Sequence, residues 1–212
     1  MDVRMLTVGQ VAENCYVIRR EGSDRGLIVD PGEEAERILH VVDELGLGID
    51  AILLTHTHFD HIGAVAPVAR ATGAPVYCPQ IEVPVLADIM AYVPWPGFGP
   101  YESYEADETV AGGETLELAG MEIEVVFTPG HSPGHVTYAI RDEAAMFSGD
   151  VLFQGSVGRV DLPGGDWPTL LESIRTLVDG YPEETVVHPG HMGITTLGAE
   201  RATNPFLAEL AR

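Results

Sequence analysis

The sequence predicts a mixed α+β fold in which helices lie outside packed sheets. Three observations predict it. Short apolar runs come in pairs around turn residues, as Thr115–Leu118 and Met121–Phe127 do around Ala119-Gly120, which is the spacing of antiparallel hairpins. Segments of helical period stand singly between groups of such runs, without the strict alternation of a doubly wound parallel sheet. The composition, 45% hydrophobic and 21% charged over 212 residues, is that of a globular chain. One domain over residues 1–212 is expected, burying roughly 70% of the unfolded surface.

In chain order, strands are expected over Met1–Val8, Cys15–Arg19 and Gly26–Val29, each closed by a turn signal. Glu33–Leu45 places Ile38, Val41, Val42 and Leu45 on one helical face, and the all-apolar Ala51–Leu54 follows as a buried strand. Trp95–Asp107, rich in proline, glycine and aromatic residues, is a long loop suited to a flap beside a pocket. Val136–Arg141 and Ala144–Phe147 flank Asp142-Glu143 as a further hairpin. A helix over Pro168–Val178, a strand over Thr185–Val187 and a closing helix near Asn204–Ala211 complete the chain.

The formal charge is −22, from 33 acidic residues against 11 bases, and every base is arginine. Such a surface repels phosphate groups, which argues against nucleic acid and anionic membranes as partners. The N-terminal segment lacks the apolar stretch of a secretory signal, and no window approaches the ~20 apolar residues of a membrane span. Cys15 and Cys78 are too few for a disulfide framework and are expected as small buried hydrophobes in a cytoplasmic protein.

Seven of the eight histidines fall in three clusters, His56/His58/His61, His131/His135 and His188/His191, each beginning where an apolar run ends. Loops at strand ends are where rigid sheets build sites, so three distant loops can converge at one edge. In extended backbone alternate side chains share a face, so His56, His58 and Asp60 point together, while His61 turns away as the chain enters the next helix. His56 and His58 are thus placed to hold one cation, and Asp60 and His61 a neighbour. Imidazole with carboxylate suits zinc, iron or manganese and not calcium. Asp150, in Ser148-Gly149-Asp150, is the candidate carboxylate to touch both ions. His135 and His191 are expected to support or pack beside the ligands, and His40 to be structural.

The run Thr55-His56-Thr57-His58-Phe59-Asp60-His61, followed by Thr128-Pro129-Gly130-His131, Ser148-Gly149-Asp150 and His188-Pro189-Gly190-His191, resembles the metallo-β-lactamase superfamily. Val29-Asp30-Pro31-Gly32 is similar to that family's first motif. The resemblance spans nearly the whole chain and implies a four-layer αββα sandwich with metals at the edge between its sheets. It implies that His56, His58 and His131 hold one metal, that Asp60, His61 and His188 hold a second, and that Asp150 bridges them. Asp30 then supports the site from behind. The implied cofactors are two divalent metal ions, zinc first, with iron or manganese as alternatives.

Within the superfamily, Asn14-Cys15-Tyr16, the segment Gly155–Asp161 and Asn204-Pro205-Phe206-Leu207 resemble the glyoxalase II-like branch, which hydrolyses hydroxyacyl thioesters of glutathione. The resemblance implies a dinuclear hydrolase of a small-molecule thioester, acting through a hydroxide between the metals that the catalytic Asp60 orients. The best-known zinc β-lactamases carry cysteine where Asp150 stands, which argues against that activity. RNA-processing relatives need a surface that a charge of −22 denies. Two alternatives keep these ligands. One is a mononuclear-iron persulfide dioxygenase-like oxidoreductase, whose iron set resembles His56, His131 and Asp150; the other is a further hydrolase such as a lactonase. The second-metal residues favour the thioester hydrolase. In one respect the sequence departs from the branch. Only 24 residues follow His188, with Arg201 and Arg212 as their bases, where glutathione-specific members carry a gripping helical extension. The usual carrier grip is missing or rebuilt, which leaves Arg159 and the aromatic segment around Trp95, Phe98 and Tyr101 as candidate substrate contacts.

Overall fold

The computed structural model describes residues 1–209. β1 (Asp2–Val8), β2 (Glu13–Arg19) and β3 (Arg25–Val29) form an antiparallel meander, and α1 (Ala35–Leu45) crosses to β4 (Gly48–Leu53). The chain then runs through α2 (Phe59–Ile62), α3 (Val65–Thr72), β5 (Val76–Pro79), α4 (Val83–Ala87), α5 (Ile89–Tyr92) and a long loop to β6 (Glu108–Val110). These six strands pair in sequence order, with β3 to β6 parallel. The second half contains β7 (Thr115–Leu118), β8 (Met121–Phe127), β9 (Val136–Ile140), β10 (Ala145–Gly149) and the small hairpin β11 (Leu152–Phe153) and β12 (Ser156–Val157). It closes with α6 (Trp167–Gly180), β13 (Val186–Pro189), β14 (Thr195–Thr196) and α7 (Leu197–Thr203). The second sheet has the order β14-β13-β10-β9-β8-β7, with β13 parallel to β10.

Alternation along the strands sets the layers. On β2, Tyr16 and Ile18 face the second sheet while Cys15 and Val17 face the helices, and all four are buried. Tyr16, Leu27 and Leu53 meet Ile123, Tyr138 and Phe147 between the sheets. Val17, Ile28 and Ile52 pack on Ile38 of α1 and Val65 of α3, and Met146 and Val187 pack under Leu170 and Ile174 of α6. Each such side chain contributes roughly 1.5–3 kcal/mol by leaving water. The result is the four-layer αββα sandwich that the resemblance implies.

Element ends differ from expectation for local reasons. Ala119 and Gly120 take φ of 50° and 71°, the type I′ hairpin geometry. Glu34 takes φ 56°, so the helix expected from Glu33 begins at Ala35. The closing helix expected near Asn204–Ala211 is a 3₁₀ turn over Pro205–Glu209 preceded by α7. Pro205 holds Asn204 extended (φ −71°, ψ 118°) and so ends α7. Residues 210 and 211 of that expectation lie outside the described residues. No helix among the described residues is long and apolar enough to cross a membrane.

Candidate metal centre

β8, β10 and β13 run in the same direction, and the loops after them and after β4 meet at one edge of the sandwich. Two backbone hydrogen bonds join these loops: Val136 N–H donates to the Thr55 carbonyl (2.9 Å) and Gly190 N–H to that of Gly149 (2.8 Å).

The first histidine set converges on one point. His56 Nε2 lies 3.1 Å from His58 Nδ1, which lies 2.8 Å from His131 Nε2. The far nitrogens have partners. Thr55 Oγ donates to Asp30 (2.6 Å), which leaves its lone pair to accept from His56 Nδ1–H (3.1 Å). His131 Nδ1–H donates to the Arg159 carbonyl (2.8 Å). These partners assign the tautomers and aim lone pairs from both Nε2 atoms at His58. A single proton on His58 serves one of these two contacts; a cation serves all three nitrogens. Burial, with the neighbouring histidines, pushes His56 well below the ordinary imidazole range and His58 down to about 4, so both are neutral, the form that ligates.

Beside it, Asp60, His61 and His191 bring their ligand atoms within 4.8 Å of one another. His191 Nε2 stands 3.3 Å from Asp60 Oδ2, and His61 Nε2 stands 3.4 Å from Asp150 Oδ1. Asp150 Oδ2 lies 3.4 Å from His131 Nε2 and 3.6 Å from His191 Nε2, so this carboxylate sits between the two sets. His61 Nε2 and Asp150 Oδ1 are both buried without a hydrogen-bond partner. Buried polar atoms are rarely left so, and the pair calls for positive charge between them. Burial works against charge on both residues, yet Asp150 and Asp60 hold His61 well above its ordinary range, and His61 and His131 hold Asp150 well below. Asp30, at φ 48°, accepts from His61 Nδ1–H (3.0 Å) and Thr55 N–H (2.8 Å), which fixes the His61 ring from behind. The donor set and its orphaned atoms fit divalent metal ions.

One expectation is corrected. His188 does not join Asp60 and His61; His191 does. His188 lies within β13 opposite Phe147, its ring stacked on Phe147 (4.8 Å) and edge-on to Tyr16 (5.4 Å), in the space between the sheets. His191 lies beyond the strand, where the chain crosses the site at Gly190. A Cβ on Gly190 would fall 2.3 Å from Asp150 Oδ1 and 2.6 Å from His61 Cε1, so only glycine permits that approach. The Asn14-Cys15-Tyr16 segment anchors this loop. Asn14 Nδ2 donates to the carbonyls of Pro189 (3.1 Å) and Met192 (2.9 Å), and Tyr16 OH donates to that of Pro189 (2.7 Å). The repeated Pro-Gly-His at 129–131 and 189–191 is the signal that marks the right histidine.

Supporting residues complete the centre. His135 Nε2 accepts from Asp150 N–H (3.0 Å) and its Nδ1 meets Thr128 Oγ (3.1 Å), the supporting role expected of it. His40 is exposed on α1 beside Glu44, away from the site. Glu82, which no motif marks, is buried and clamps the two loops of the first set. Its Oε2 accepts from Thr57 N–H (3.3 Å) and Oγ (2.6 Å), and its Oε1 from Ser132 Oγ (2.7 Å) and Gly134 N–H (2.8 Å). Glu13 is buried 3.8 Å from His61 with neither oxygen hydrogen-bonded, and burial pushes its carboxyl pKa up.

A cavity of about 440 Å³ opens above the centre, floored by His58, Asp60, His131, Asp150 and His191. Trp95 and Arg159 line it, and the Arg159 guanidinium lies 5.7 Å over the Trp95 ring in a two-point ion pair with Asp161 (2.6 and 2.7 Å). Phe98 and Tyr101, expected beside the substrate, instead back the cavity wall by packing on Phe59 (4.8 and 5.8 Å).

Comparisons accord with this arrangement. The family model described as Metallo-beta-lactamase superfamily matches residues 8–191. The chain is 42% identical over 212 residues to the probable metallo-hydrolase YqgX of Bacillus subtilis, covering 98% of each. It is 34% identical over 214 residues to the hydroxyacylglutathione hydrolase GloC of Haemophilus influenzae, again covering 98% of each. Among solved structures, the B3 metallo-β-lactamase BLEG-1 superposes with a TM-score of 0.92 at 40% identity, over 98% of this chain and 100% of that one. TTHA1623, solved in a di-iron-bound form, gives 0.85 at 42% identity over 97% and 100%. With the sandwich and its edge cluster of histidines and aspartates, these likenesses lead to one conclusion: the chain belongs to the metallo-β-lactamase superfamily.

Proposed function

We propose that the protein is a dinuclear hydrolase that cleaves a hydroxyacyl thioester in the manner of the glyoxalase II-like branch. One observation carries the dinuclear reading: Asp60, His61 and His191 close against Asp150 beside a complete first set, with His61 Nε2 and Asp150 Oδ1 both orphaned. The likeness to GloC supports the thioester as substrate. Zinc is the first choice of metal, and the di-iron form of TTHA1623 supports iron as the alternative.

His56, His58 and His131 would hold one ion and Asp60, His61 and His191 the other, with Asp150 shared. Ions in such sites lower the pKa of a water from ~15.7 towards ~7 and polarise a carbonyl oxygen. Asp60, whose Oδ2 faces His191, orients the attacking water by accepting its hydrogen bond. Asp150 contributes negative charge between the two sets, and His135 holds its backbone in place. The hydroxyls of Ser132 and Ser148 donate to Glu82 and the Leu152 carbonyl, and burial pushes the Cys15 thiol pKa up, so none serves as nucleophile. The buried free thiols of Cys15 and Cys78 suit a reducing cytoplasm, and the charge of −22 suits a small-molecule substrate over nucleic acid or membrane.

The test is to load the protein with metal and supply a lactoyl thioester, then a persulfide in an oxygen electrode. Thiol release with two ions per chain is expected. Iron-dependent oxygen uptake would transfer the site to the dioxygenase reading. The likeness to BLEG-1 warrants a chromogenic β-lactam alongside, and turnover faster than that of the thioester would assign the site to β-lactams.

A further inference from the structure

We infer that the cavity above the metal centre takes an apolar group of ring size bonded beside the scissile carbonyl, so that the substrate is an aryl- or branched-alkyl-bearing thioester and not one of lactoyl size. This rests on the hydrolase reading and deepens it.

The cavity walls carry the inference. Away from the floor the lining is mainly aliphatic and aromatic, led by Phe59, Val85, Ile89, Trp95 and Leu162. Two charged side chains stand among these walls, and both are engaged. Both oxygens of Glu82 accept hydrogen bonds from Thr57, Ser132 and Gly134, and Arg159 is held by Asp161. Among the described residues, an anionic carrier such as a γ-glutamyl peptide or a nucleotide thiol therefore meets no uncommitted cation in these walls, on a surface already at −22. An apolar group meets complementary surface. The mouth keeps Tyr92 and Trp95 55% and 40% exposed, an expense in water that an apolar occupant removes. At about 440 Å³ the cavity falls in the ~300–1,000 Å³ range of pockets that enclose drug-sized ligands, well beyond a three-carbon acyl group. The cavity is continuous with the floor of His58, Asp60 and His191, so its occupant lies directly against the reacting carbonyl.

The apolar group can sit on either side of the carbonyl, and the assay separates the two. Three thioesters are compared on the metal-loaded protein: lactoyl-N-acetylcysteamine, mandeloyl-N-acetylcysteamine, and the lactoyl thioester of benzyl mercaptan. Each kcat/KM is divided by the alkaline hydrolysis rate of the same compound. One added methylene in a fitted pocket is worth ~10-fold or more, so at least one aryl substrate should exceed the small one by about tenfold, and the better arm locates the ring. Trp95→Ala should bring that ratio towards one. Aryl substrates within threefold of the small one, with the small one turned over, overturn the inference and leave the hydrolase reading intact.

A binding measurement makes the two failures distinguishable. Mandelamide and lactamide are titrated against indole fluorescence, with Trp167→Phe used to isolate Trp95. Mandelamide should bind at least about tenfold more tightly, and Trp95→Phe should remove the signal. That preference without turnover of any thioester would sink the hydrolase reading and keep the pocket. Equal binding of the two amides would sink the pocket.

Discussion

Glu82→Gln tests how the first histidine set is held together. The substitution keeps shape and volume but turns one oxygen into a donor. Each oxygen of Glu82 faces one hydroxyl and one backbone N–H: Thr57 Oγ and N–H on one side, Ser132 Oγ and Gly134 N–H on the other. A hydroxyl can rotate to accept from the new amide; a backbone N–H cannot. Whichever way the amide is turned, it leaves one buried N–H unpaired, at about 1–3 kcal/mol, and weakens the remaining bonds by replacing a carboxylate acceptor. The expected destabilisation is about 2–4 kcal/mol, or roughly 4–16 °C in Tm at this chain length. Thr57 lies between His56 and His58, and Ser132 follows His131, so the convergence of these rings loosens with the clamp. Metal affinity should fall by ~10–100-fold, as for other residues that orient ligands. Circular dichroism melts with and without zinc, together with competition against a chromophoric chelator, measure both. A Tm change within about 2 °C, the scale of an ordinary surface substitution, with unchanged zinc affinity would refute the clamp.

The remaining predictions concern the second set and its surroundings. His191→Ala should retain at most one ion per chain by elemental analysis, whereas His188→Phe should retain both; the opposite pattern would restore His188 as the ligand. Asp150→Ala should lower metal content and activity together while His40→Ala changes neither, and full occupancy in Asp150→Ala would remove the shared carboxylate. Burial holds His188 down to about 4 from its ordinary 6.5. Between those values the unfolded chain binds the additional proton, so this stability is complete above pH ~6.5 and is lost as pH falls towards ~4, by roughly 3 kcal/mol in all. His188→Phe should flatten Tm against pH in that window for the metal-free protein, and an unaltered slope would show that His188 does not titrate there.

Much of the centre was legible because it is written in short-range patterns. The two-residue period of extended backbone brings His56 and His58 together, whereas Asp60, expected on the same face, lies in α2 and joins His61 in the neighbouring set; the apolar runs ahead of each cluster mark the strand ends that hold them. The choice between His188 and His191 lay elsewhere. Both follow one strand in the sequence, and what separates them is that His188 remains inside β13, opposite Phe147, while Gly190 lets the next turn pass over Asp150. That depends on pairing with β10, forty residues earlier in the chain. Glu82 was invisible for a similar reason: in sequence it is one of 33 acidic residues, and only the approach of Thr57 and Ser132 makes it a clamp. Beyond the turn into a helix at His61, the short helices α3 to α5 escaped because none is longer than eight residues, too brief for a periodic pattern to stand out.

The two ligand sets draw on both halves of the sandwich, with His56, His58, Asp60 and His61 following β4 and His131, Asp150 and His191 following strands of the second sheet. On the proposed ligand sets, an ion in this centre would act as a rivet across the seam. Neither half carries a finished set, and the last member, at position 191 of 212, is synthesised late. An emerging N-terminal half cannot be locked around metal in its final geometry before its partner sheet exists, which keeps capture of the ion behind assembly of the fold. Once the sheets have docked, each tenfold rise in free metal above the dissociation constant adds ~1.4 kcal/mol against their separation. Metal supply would then govern how long the folded chain survives as well as how fast the proposed hydrolase works.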